Sequence, residues 1–331
     1  MLMLSRSDVM DLLSLDTCIE AVENAFRLHA EQRTFGPGVL SLPTEDGGFH
    51  VKVAGLRGEQ SYVAAKINGN FPDNGRRLGL PTIQGTVVLA DARNGTPLAV
   101  MDSASITMLR TSAATAVAAK FLARRDTRTA TVVGCGVQGE IQLAAIHAVL
   151  PLQHAWMLDA DHARAETAAA RATVRLGLRA EAAKDLRTVL RESDVCVTCT
   201  PARRAYVMAA DVKPGTFIAA VGADSQGKQE LDPALVASAT LVVDSLEQCA
   251  EIGELQHALA AGLMTRAQVH AELPAVVAGH RPGRTRPDEI TVFDSSGTAL
   301  QDVAATIAVY DKARAIGRGT DVALDTTGVS A

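Results

Sequence analysis

A glycine-rich turn between an apolar run and a helix-forming segment constrains the fold of this chain more than any other feature. Residues 129–143 have the sequence TATVVGCGVQGEIQL, with glycines at positions 134, 136 and 139. The first glycine permits a tight turn, the second lets the backbone approach a pyrophosphate, and the third lets helix and strand pack closely. The N–H groups of the helix N-terminus then face the phosphates. The segment predicts a dinucleotide-binding βαβ unit; the alternative is a structural glycine turn in another α/β protein.

A second element of the same motif follows at the spacing that a βαβ unit requires. Residues 154–159, HAWMLD, are predicted to form the next strand, which ends in Asp159, 25 residues after Gly134. A carboxylate at this position accepts hydrogen bonds from the adenosine ribose. Asp161 adds negative charge where a 2′-phosphate would lie, with Arg164 as the opposing charge. We therefore expect NAD(H) in preference to NADP(H).

The overall composition excludes several classes of protein. The chain has 331 residues, a length that predicts two domains. Its net charge is −5 and it has no block of Lys and Arg, so no nucleic-acid partner is expected. No apolar run is long enough to span a bilayer, so no membrane partner is expected either. The N-terminal residues MLMLSRSDVMDLL lack the apolar core of a signal peptide, and we expect a cytoplasmic protein.

The cysteines and histidines predict neither disulfides nor a metal site. The five cysteines are scattered, which favours reduced thiols over a disulfide framework. Cys196 and Cys199 form a C-x-x-C pair, but both fall in DVCVTCT, an apolar segment that predicts a buried strand. Positions three apart on a strand point to opposite faces, so a shared ligand site is not expected. The eight histidines show no metal-ligand spacing, and no metal is predicted.

The first third of the chain has the pattern of an α+β domain. Residues 7–33 are predicted to form one helix capped by Ser7, and residues 105–124 a second helix capped by Asp102 or Ser103. Short strands are predicted between these helices at residues 49–53, 62–68, 83–90 and 97–101, and the last two are joined as a hairpin. Gly- and Pro-rich loops are expected at residues 36–38 and 72–75.

From residue 129 onward strands and helices alternate, which predicts a parallel, doubly wound sheet. The predicted strands are residues 131–133, 155–158, 194–200, 217–221, 241–244 and 290–293. Residues 301–315 form a final predicted helix that returns to the first domain, and the polar tail 317–331 is expected to be disordered. The predicted fold class is α/β: a Rossmann-type doubly wound parallel sheet in residues 125–300, plus an α+β domain formed by residues 1–124 and 301–331.

Two cations lie in otherwise apolar segments, where each needs a charged partner or a path to water. Lys66 lies within YVAAKIN, a predicted strand, and Arg110 lies within ITMLRTSAATAVAA, a predicted helix. The carboxylate of a bound substrate would serve as the partner, and an arginine can bind it in bidentate fashion. The alternative is an internal salt bridge, or a side chain that extends to solvent.

Turn-forming residues combined with polar and charged ones lie at the ends of three of the predicted parallel strands, at the edge where ligands bind in open α/β sheets. They are Thr198, Thr200 and Pro201 at the end of one strand, Gly222, Asp224 and Lys228 after the next, and Asp294, Ser295, Ser296 and Gly297 after the last. Together they are predicted to surround a nicotinamide. The alternative is that each belongs to an ordinary loop.

Three segments of the sequence resemble the ornithine cyclodeaminase/μ-crystallin family. They are GLPTIQGTVVLADARNGTPLAVMDSASITMLRTSAATAVAAKFLAR at residues 79–124, VGADSQGKQELD at residues 221–232 and FDSSGTALQDVA at residues 293–304. The resemblance implies an enzyme that transfers hydride between a nicotinamide cofactor and a carbon bonded to nitrogen in a small amino or imino acid. It also implies a homodimer joined through the α+β domain, which is then the substrate-binding/dimerisation domain.

The resemblance further implies roles for individual residues. Lys66 would bind the substrate carboxylate or supply a proton near the reacting carbon–nitrogen bond, and Asp224 would handle the substrate nitrogen. The implied substrate-binding residues are Lys52, His50, Arg110 and Ser296. The implied cofactor-binding residues are Thr82, Arg110, Gly134, Gly136, Val137, Gln138, Gly139, Asp159, Thr200, Ala220, Lys228 and Ser295.

The sequence departs from the family pattern at residues 37–54. Family members carry an Arg or Lys a few residues after a Pro-rich loop, where this chain has Pro37-Gly38-Val39, and Lys52 is expected to replace that cation from the next strand. The acidic residue that cyclodeaminases place near this point corresponds to His50. This difference disfavours a cyclodeaminase.

Four functions are compatible with these patterns. The preferred hypothesis is a reductase that uses NAD(P)H to convert an α-imino acid to an α-amino acid, with Δ1-pyrroline-2-carboxylate, which gives L-proline, as the preferred substrate. The alternatives are an ornithine cyclodeaminase, which converts L-ornithine to L-proline and ammonia, an L-alanine dehydrogenase, and a non-catalytic cofactor-binding protein similar to μ-crystallins. The presence of Lys66 and Asp224 disfavours the last.

Overall fold

The computed structural model of this chain describes residues 1–324, and residues 325–331 lie outside the described part. The chain divides into two compact units: Met1–Arg110 with Thr298–Ala331, and Thr111–Gly297. The sequence predicts the corresponding boundaries at 124/125 and 300/301. The first division falls inside one continuous helix, Ser103–Leu122, in which no change of composition marks it.

Strands and helices account for most of residues 1–324. The strands are β1 (Leu2–Leu4), β2 (Thr34–Pro43), β3 (Gly48–Arg57), β4 (Ser61–Asn70), β5 (Ile83–Asp91), β6 (Pro97–Asp102), β7 (Thr129–Val133), β8 (His154–Leu158), β9 (Arg179–Ala182), β10 (Val195–Thr198), β11 (Arg203–Val207), β12 (Phe217–Ala220), β13 (Gln229–Leu231), β14 (Thr240–Val243), β15 (Ala271–Glu272), β16 (Thr291–Asp294) and β17 (Thr320–Asp321). The helices are α1 (Arg6–Leu12), α2 (Leu15–Ala30), α3 (Asn74–Leu78), α4 (Ser103–Leu122), α5 (Val137–Val149), α6 (His162–Leu176), α7 (Leu186–Glu192), α8 (Pro233–Ser238), α9 (Leu246–Ile252), α10 (Leu255–Ala260), α11 (Leu273–Val277) and α12 (Ala299–Ile316). No helix in this part of the chain is both long enough and apolar enough to cross a membrane.

The first unit is built on a sheet with the strand order β17-β1-β6-β5-β4-β3-β2. Its strands pair antiparallel except β1 with β6, and β5 and β6 form the predicted hairpin. Helix α12 packs along α2 and across β2 to β5. Alternate residues of a strand point to opposite faces, and the face on which Ala54, Ala64 and Leu89 form a buried cross-strand row is called the inner face. The opposite, outer face carries Leu40 and Ile67.

Three local predictions for this unit are wrong. The single helix predicted at residues 7–33 is two helices, because the Ser14 hydroxyl caps α2 by accepting the N–H of Thr17 at 3.2 Å. The cap of α1 is Ser5 rather than Ser7, and Asp8 completes a capping box with it. The predicted loop at residues 36–38 is a bulge inside β2, where Gly36 has a φ of +78°.

The predicted disorder of the tail 317–331 is wrong for its first part. Strand β17 pairs antiparallel with β1. The N-terminal ammonium group donates to the carbonyl oxygen of Val322 at 3.0 Å, and Arg318 forms an ion pair with Asp8. These contacts join residues 1–8 to residues 318–322. The remainder of the predicted tail, residues 325–331, lies outside the described residues.

The second unit contains a parallel sheet with the order β15-β14-β16-β12-β10-β7-β8-β9. From β7 the chain continues outward through β8 and β9, and then returns to the other side of β7 with β10. The strand order therefore reverses between β7 and β10, as in a doubly wound Rossmann-type sheet, and the predicted fold class is confirmed. Ligands bind outside the carboxyl ends of the strands at such a reversal.

Candidate functional site

The carboxyl ends of neighbouring strands in the parallel sheet lie in one register row. The last paired residues of β8, β7, β10, β12, β16 and β14 are Leu158, Val133, Thr198, Ala220, Asp294 and Val243. Because the row is level, the residues that follow it meet at a single edge of the sheet. The structure therefore brings the glycine turn, Asp159, Thr200, Ala220 and Ser295 to the same edge, on the strands predicted from the sequence.

The glycine turn has the backbone geometry that requires glycine. Gly134 has a φ of +100°, and a Cβ there would lie 2.8 Å from the carbonyl oxygen of Cys199. A Cβ on Gly139 would overlap the carbonyl oxygen of Gly134, so helix α5 and the turn approach as closely as the motif requires. Gly136 is the N-cap residue directly before α5 and provides no side-chain cap, and the space around it is open. The turn thus leaves room and backbone donors for an anion.

Asp159 is fixed at the end of β8 by the turn itself. Its Oδ2 accepts the N–H of Cys135 at 2.8 Å, and its Oδ1 accepts the N–H of Asp161 at 2.9 Å. Arg164 lies 3.6 Å from the same carboxylate. Because a carboxylate has about four lone-pair sites, acceptor capacity remains for the hydroxyls of a ribose.

Two serines after β16 differ in how their polar groups are satisfied. Asp244 accepts the N–H of Ser296 at 3.1 Å and its hydroxyl at 2.7 Å. The hydroxyl of Ser295 is buried and has no hydrogen-bond partner among the described residues. A buried polar group of this kind fits a site in which a ligand supplies the partner. Together with the open space at Gly136 and the fixed carboxylate of Asp159, this edge fits a dinucleotide.

Asp224 and Lys228, both predicted site residues, form an ion pair after β12. The distance from Lys228 Nζ to Asp224 Oδ1 is 2.6 Å, and the aspartate side chain is 55% exposed. The carbonyl oxygen of Lys228 is 2.7 Å from His257 Nε2. The lysine therefore fixes the direction of the carboxylate, and the catalytic role of Asp224 stays a prediction.

In the first unit, Lys66 and Arg110 share one buried carboxylate. Asp302 Oδ1 lies 2.8 Å from Lys66 Nζ and 2.9 Å from Arg110 Nε, and the exposed fraction of each of these side chains is 6% or less. Lys66 also donates to Thr107 Oγ1 at 3.2 Å, and Arg110 Nη1 donates to Gln301 Oε1 at 2.7 Å. Of the partners considered from the sequence, the structure shows the internal salt bridge.

Burial and neighbouring charges set the protonation of this group. Burial lowers the pKa of Lys66 to about 7, because the attraction of Asp302 offsets the loss of hydration only in part and Arg110 repels the charged form. Burial alone would raise the pKa of Asp302, but Arg110 and Lys66 outweigh it and hold the pKa below its usual range. An ammonium group that titrates near neutral pH can donate and accept a proton in catalysis.

Lys52 and His50 lie on the same inner face as Lys66. Lys52 in β3 is directly opposite Lys66 in β4, and like charges in such a pair repel each other. The Nδ1 atom of His50 lies 3.0 Å from Ser41 Oγ. The structure therefore brings Lys52, Lys66 and Arg110 together in a cationic region. Thr82, in contrast, is exposed and lies immediately before β5, where its carbonyl oxygen accepts the N–H of Phe71.

The acidic residues that organise both regions were not predicted from the sequence. Asp302 lies in the segment FDSSGTALQDVA, and a charge within an otherwise apolar helix was the available sign of a buried partner. Glu230 lies in VGADSQGKQELD and accepts the N–H and the hydroxyl of Thr200, both at 2.7 Å. No spacing rule distinguishes such a carboxylate from a surface residue of a short strand.

A cavity of about 400 Å³ lies elsewhere in the first unit. Its lining includes Phe49, Phe71, Arg77 and Leu78. Phe49 and Phe71 form an edge-to-face pair with ring centroids 5.6 Å apart, and Arg77 forms an ion pair with Asp46 at 3.0 Å. None of the predicted site residues lines this cavity, so its size does not make it the candidate active site.

The cysteines are free in the described part of the chain. Cys196 lies in β10 and Cys199 lies just beyond its end, and burial raises the pKa of both thiols. They are therefore protonated at neutral pH and poorly suited to nucleophilic or redox chemistry. Within residues 1–324, no group of three or more His, Cys, Asp or Glu side chains is placed to hold a metal ion.

Comparison with known proteins gives matches over nearly the whole chain. The family model described as ornithine cyclodeaminase/mu-crystallin family matches residues 1–317. A solved archaeal alanine dehydrogenase dimer with bound NAD is 37% identical, with a TM-score of 0.94, over 98% of this chain and 99% of that one. The Δ(1)-pyrroline-2-carboxylate reductase of Thermococcus litoralis, solved with NADH and L-proline, is 34% identical, with a TM-score of 0.93, over 97% and 100%. The iminosuccinate reductase of Paracoccus denitrificans, solved with NAD⁺, is 34% identical, with a TM-score of 0.90, over 97% and 99%.

The Asp302→Asn substitution tests the buried ion pairs. It leaves Lys66 and Arg110 buried without their counter-charge, and we expect the free energy of unfolding to fall by about 3 kcal/mol. The measurement is urea unfolding followed by circular dichroism. Asp311→Asn is the matched control on the same helix, since Asp311 is exposed and an asparagine oxygen can still accept the 3.5 Å hydrogen bond from the Tyr62 hydroxyl. We expect this change to alter stability by about 0.5 kcal/mol or less. Equal stability of the two variants would contradict the role given to Asp302.

Proposed function

The chain belongs to the ornithine cyclodeaminase/μ-crystallin family, and from this premise we propose that it is an NAD(H)-dependent oxidoreductase of small α-imino and α-amino acids. The observation that carries the proposal is the buried group of Lys66 and Arg110 around Asp302, in which two cations share one carboxylate. When Lys66 is protonated, the group carries an excess positive charge, which is suited to the carboxylate that every α-amino or α-imino acid carries. The similar proteins are a dehydrogenase and two reductases, which supports an oxidoreductase.

The cofactor is proposed to bind at the carboxyl edge of the parallel sheet in the second unit. Gly134, Gly136 and Gly139 would hold its pyrophosphate, with Val137 and Gln138 in the same turn, and Asp159 would bind its adenosine ribose. NAD(H) is favoured over NADP(H) because Asp159 and Asp161 would repel a 2′-phosphate, with Arg164 only partly compensating. Three similar structures contain NAD or NADH, which supports this choice.

The substrate is proposed to bind at the inner face of the first unit. Arg110, whose orientation is fixed by Asp302 and Gln301, would bind the substrate carboxylate together with Lys52. Fixing the carboxylate restricts the orientation of the adjacent imine and so lowers the entropy cost of reaction. His50 would contact the substrate side chain from the same strand as Lys52. Ser296 is proposed as a further substrate-binding residue.

Lys66 is proposed to manage the proton. When bound, NADH supplies a hydride from its nicotinamide C4. The imine carbon accepts the hydride and the nitrogen accepts one proton, so the carbon–nitrogen double bond becomes the single bond of the amine. Lys66 in its ammonium form can donate that proton, and in the reverse direction its neutral form can accept it. Asp224 is proposed to orient the substrate nitrogen.

The substrate of first choice is Δ1-pyrroline-2-carboxylate, which would be reduced to L-proline. The imino acid of pyruvate and that of oxaloacetate are the other candidates, because similar proteins are named for alanine and iminosuccinate. A polar inner face with His50 and Lys52 favours the second of these, whose side chain carries a further carboxylate. Cyclodeaminase activity on L-ornithine is disfavoured by the histidine at position 50, where cyclodeaminases carry an acidic residue.

Two assays on the purified protein test the reaction class. The first follows NADH oxidation with Δ1-pyrroline-2-carboxylate, with pyruvate plus ammonia, and with oxaloacetate plus ammonia. The second measures ammonia release from L-ornithine with catalytic NAD⁺. We expect rapid NADH oxidation with at least one imino acid, slower oxidation of NADPH, and no ammonia from ornithine. Ammonia and proline without net NADH consumption would identify a cyclodeaminase, and NADH binding without any turnover would identify a binding protein.

Substitution of Lys66 tests its role as the proton donor. For Lys66→Met we expect kcat for imine reduction to fall by about 100-fold or more, with unchanged affinity for NADH. Since the pKa of Lys66 is about 7, the ammonium form predominates below pH 7, and the reduction rate should decrease as the pH rises through 7. The oxidation rate of the amine should increase over the same range. The measurement is kcat in both directions from pH 5 to 9.

Lys66→Arg separates the charge of the lysine from its proton. The guanidinium keeps the positive charge but does not release a proton in this pH range. We expect this variant to retain a KM for the imino acid close to that of the wild type, to lose kcat, and to show no titration near pH 7. A pH profile shared by all three proteins would mean that another group supplies the proton.

A homodimer is proposed to form through the outer face of the first unit. Apolar side chains from three adjacent strands are exposed on this face: Leu40, Leu42, Phe49, Val53 and Ile67. A contiguous exposed apolar surface of this kind is typical of an interface. A similar structure is described as a dimer, which supports the proposal.

Ile67→Glu tests the proposed interface. Ile67 lies in β4 within the exposed apolar area, and a buried, unpaired carboxylate there would oppose association. We expect the wild type to have twice the mass of one chain in light scattering and the variant to have the mass of one chain. Val174→Glu, at an exposed apolar residue of α6 in the second unit, is the control and should stay dimeric. A dimeric Ile67→Glu protein would exclude this face.

A further inference from the structure

Buried acidic side chains form a series along the carboxyl edge of the parallel sheet in the second unit. Asp294 accepts the N–H groups of Glu254 and Leu255 at 3.0 and 2.9 Å. Glu254 accepts the N–H groups of Glu230 and Leu231 at 2.7 and 3.1 Å. All three acidic residues are fully buried. Each therefore fixes the backbone of the segment that carries the next carboxylate, and Glu230 is the last of the series.

Glu230 joins the segments that follow two adjacent strands. Its Oε1 accepts the N–H and the hydroxyl of Thr200, which follows β10, and the hydroxyl of Tyr206, each at 2.7 Å. Its Oε2 accepts the N–H of Gly222, which follows β12, at 2.9 Å. One carboxylate thus accepts four hydrogen bonds and holds Thr200 and Gly222 at a fixed separation.

The segments held by Glu230 are in close contact with the glycine turn. A Cβ on Gly134 would lie 3.1 Å from Thr200 Cγ2, so the threonine packs directly on the turn. A Cβ on Gly222 would lie 2.5 Å from Glu230 Oε2, which leaves no room for a side chain between them. The packing of Thr200 on Gly134 and of Gly222 on Glu230 leaves no free space. A displacement of Glu230 would therefore displace the residues at the sheet edge as well.

We propose that Glu230 is a positioning residue that fixes Thr200 and Gly222 for the nicotinamide half of the bound cofactor. The inference rests on the proposed function, since it requires that the second unit binds NADH. Thr200 and Gly222 are among the residues predicted to surround the nicotinamide, and Ala220 is a predicted cofactor-binding residue. Glu230 holds Thr200 directly, and through Gly222 it holds the segment that follows Ala220. It acts through these residues and does not itself contact the reacting atoms.

The chemistry of a carboxylate explains why this position requires glutamate. Every partner of Glu230 is a donor, and an ionised carboxylate is an acceptor at both oxygens. In Glu230→Gln, an amide oxygen directed at Thr200 would place the amide NH₂ against the N–H of Gly222. Two donors would then face each other, and we expect the Gly222 segment to move away.

Glu289 provides a matched control in the same unit. It is a buried glutamate whose carboxylate accepts the N–H groups of Thr285 and Arg286 and the hydroxyl of Thr240. Thr240 begins β14, and Glu289 precedes β16, so these bonds lie at the amino edge of the sheet. Glu289→Gln therefore makes the same chemical change at the edge away from the proposed cofactor.

The experiment measures the Kd for NADH and for ADP-ribose by calorimetry, together with the thermal midpoint of each ligand-free protein. ADP-ribose shares every part of the cofactor except the nicotinamide. For Glu230→Gln we expect the Kd for NADH to rise about tenfold, as for one lost hydrogen bond, and the Kd for ADP-ribose to stay within about twofold. Glu289→Gln should lower the thermal midpoint and change neither Kd. Tyr206→Phe, which removes a single donor to Glu230, should weaken NADH binding by a smaller factor.

The results of these measurements distinguish a failure of the positioning role of Glu230 from a failure of the proposed function. An unchanged Kd for NADH in Glu230→Gln, or equal weakening of NADH and ADP-ribose, would make Glu230 a purely structural residue and overturn the inference. If Glu230→Gln does not fold, Tyr206→Phe carries the same comparison and the same criterion. Wild-type protein that binds neither ligand would instead overturn the proposed function, and with it the inference.

Discussion

The carboxylate of Asp302 lies between Lys66 and Arg110, and the cationic inner face of the first unit depends on this contact. The three residues belong to α12, β4 and α4, which are far apart in the sequence. Without the aspartate, two buried cations would repel each other in a region of low dielectric constant. With it, Arg110 has a fixed orientation, and the attraction of Asp302 keeps the pKa of Lys66 at about 7, because burial without this counter-charge would lower it further. One carboxylate with two ion pairs therefore serves both stability and the proposed chemistry.

Buried carboxylates organise the second unit as well, but with different partners. Glu254 and Asp294 are bound by backbone N–H groups and lie near other carboxylates rather than near cations. Burial and the charge of Asp294 raise the pKa of Glu254 to about 9, and burial raises the pKa of Asp294 to about 7. The pKa of Asp302 is shifted the other way because its donors are positively charged. Buried acidic side chains thus bind backbone N–H groups in the second unit and neutralise buried cations in the first.

The alternation of side chains along β2, β3 and β4 gives the first unit two surfaces of opposite character. On β3 and β4, His50, Lys52 and Lys66 point to the inner face, while Phe49 and Ile67 point to the outer face. The proposed substrate site and the proposed dimer interface are therefore opposite sides of the same strands. A shift of one residue in register would exchange the two sets. The long antiparallel pairing of these strands fixes the register and so keeps both surfaces in place.

The sequence by itself determined the features that depend on local pattern. The glycine turn, the strand that ends in Asp159 and the alternation after residue 129 follow from steric rules over short segments, and the parallel sheet agrees with them. The two cations in apolar segments were recognisable because buried charge requires a partner. Their partner Asp302 was not recognisable, and neither was the role of Glu230. Both carboxylates are brought to their donors by contacts between segments that are separated in the sequence. The start of helix α2 is set by the local Ser14 cap, which the apolar pattern of residues 7–33 did not reveal. Tertiary structure decided that residues 36–38 form a bulge rather than a loop, through the pairing of β2 with β3. Local propensity predicts that a segment can turn or continue, whereas the neighbouring strand or helix decides which of the two occurs.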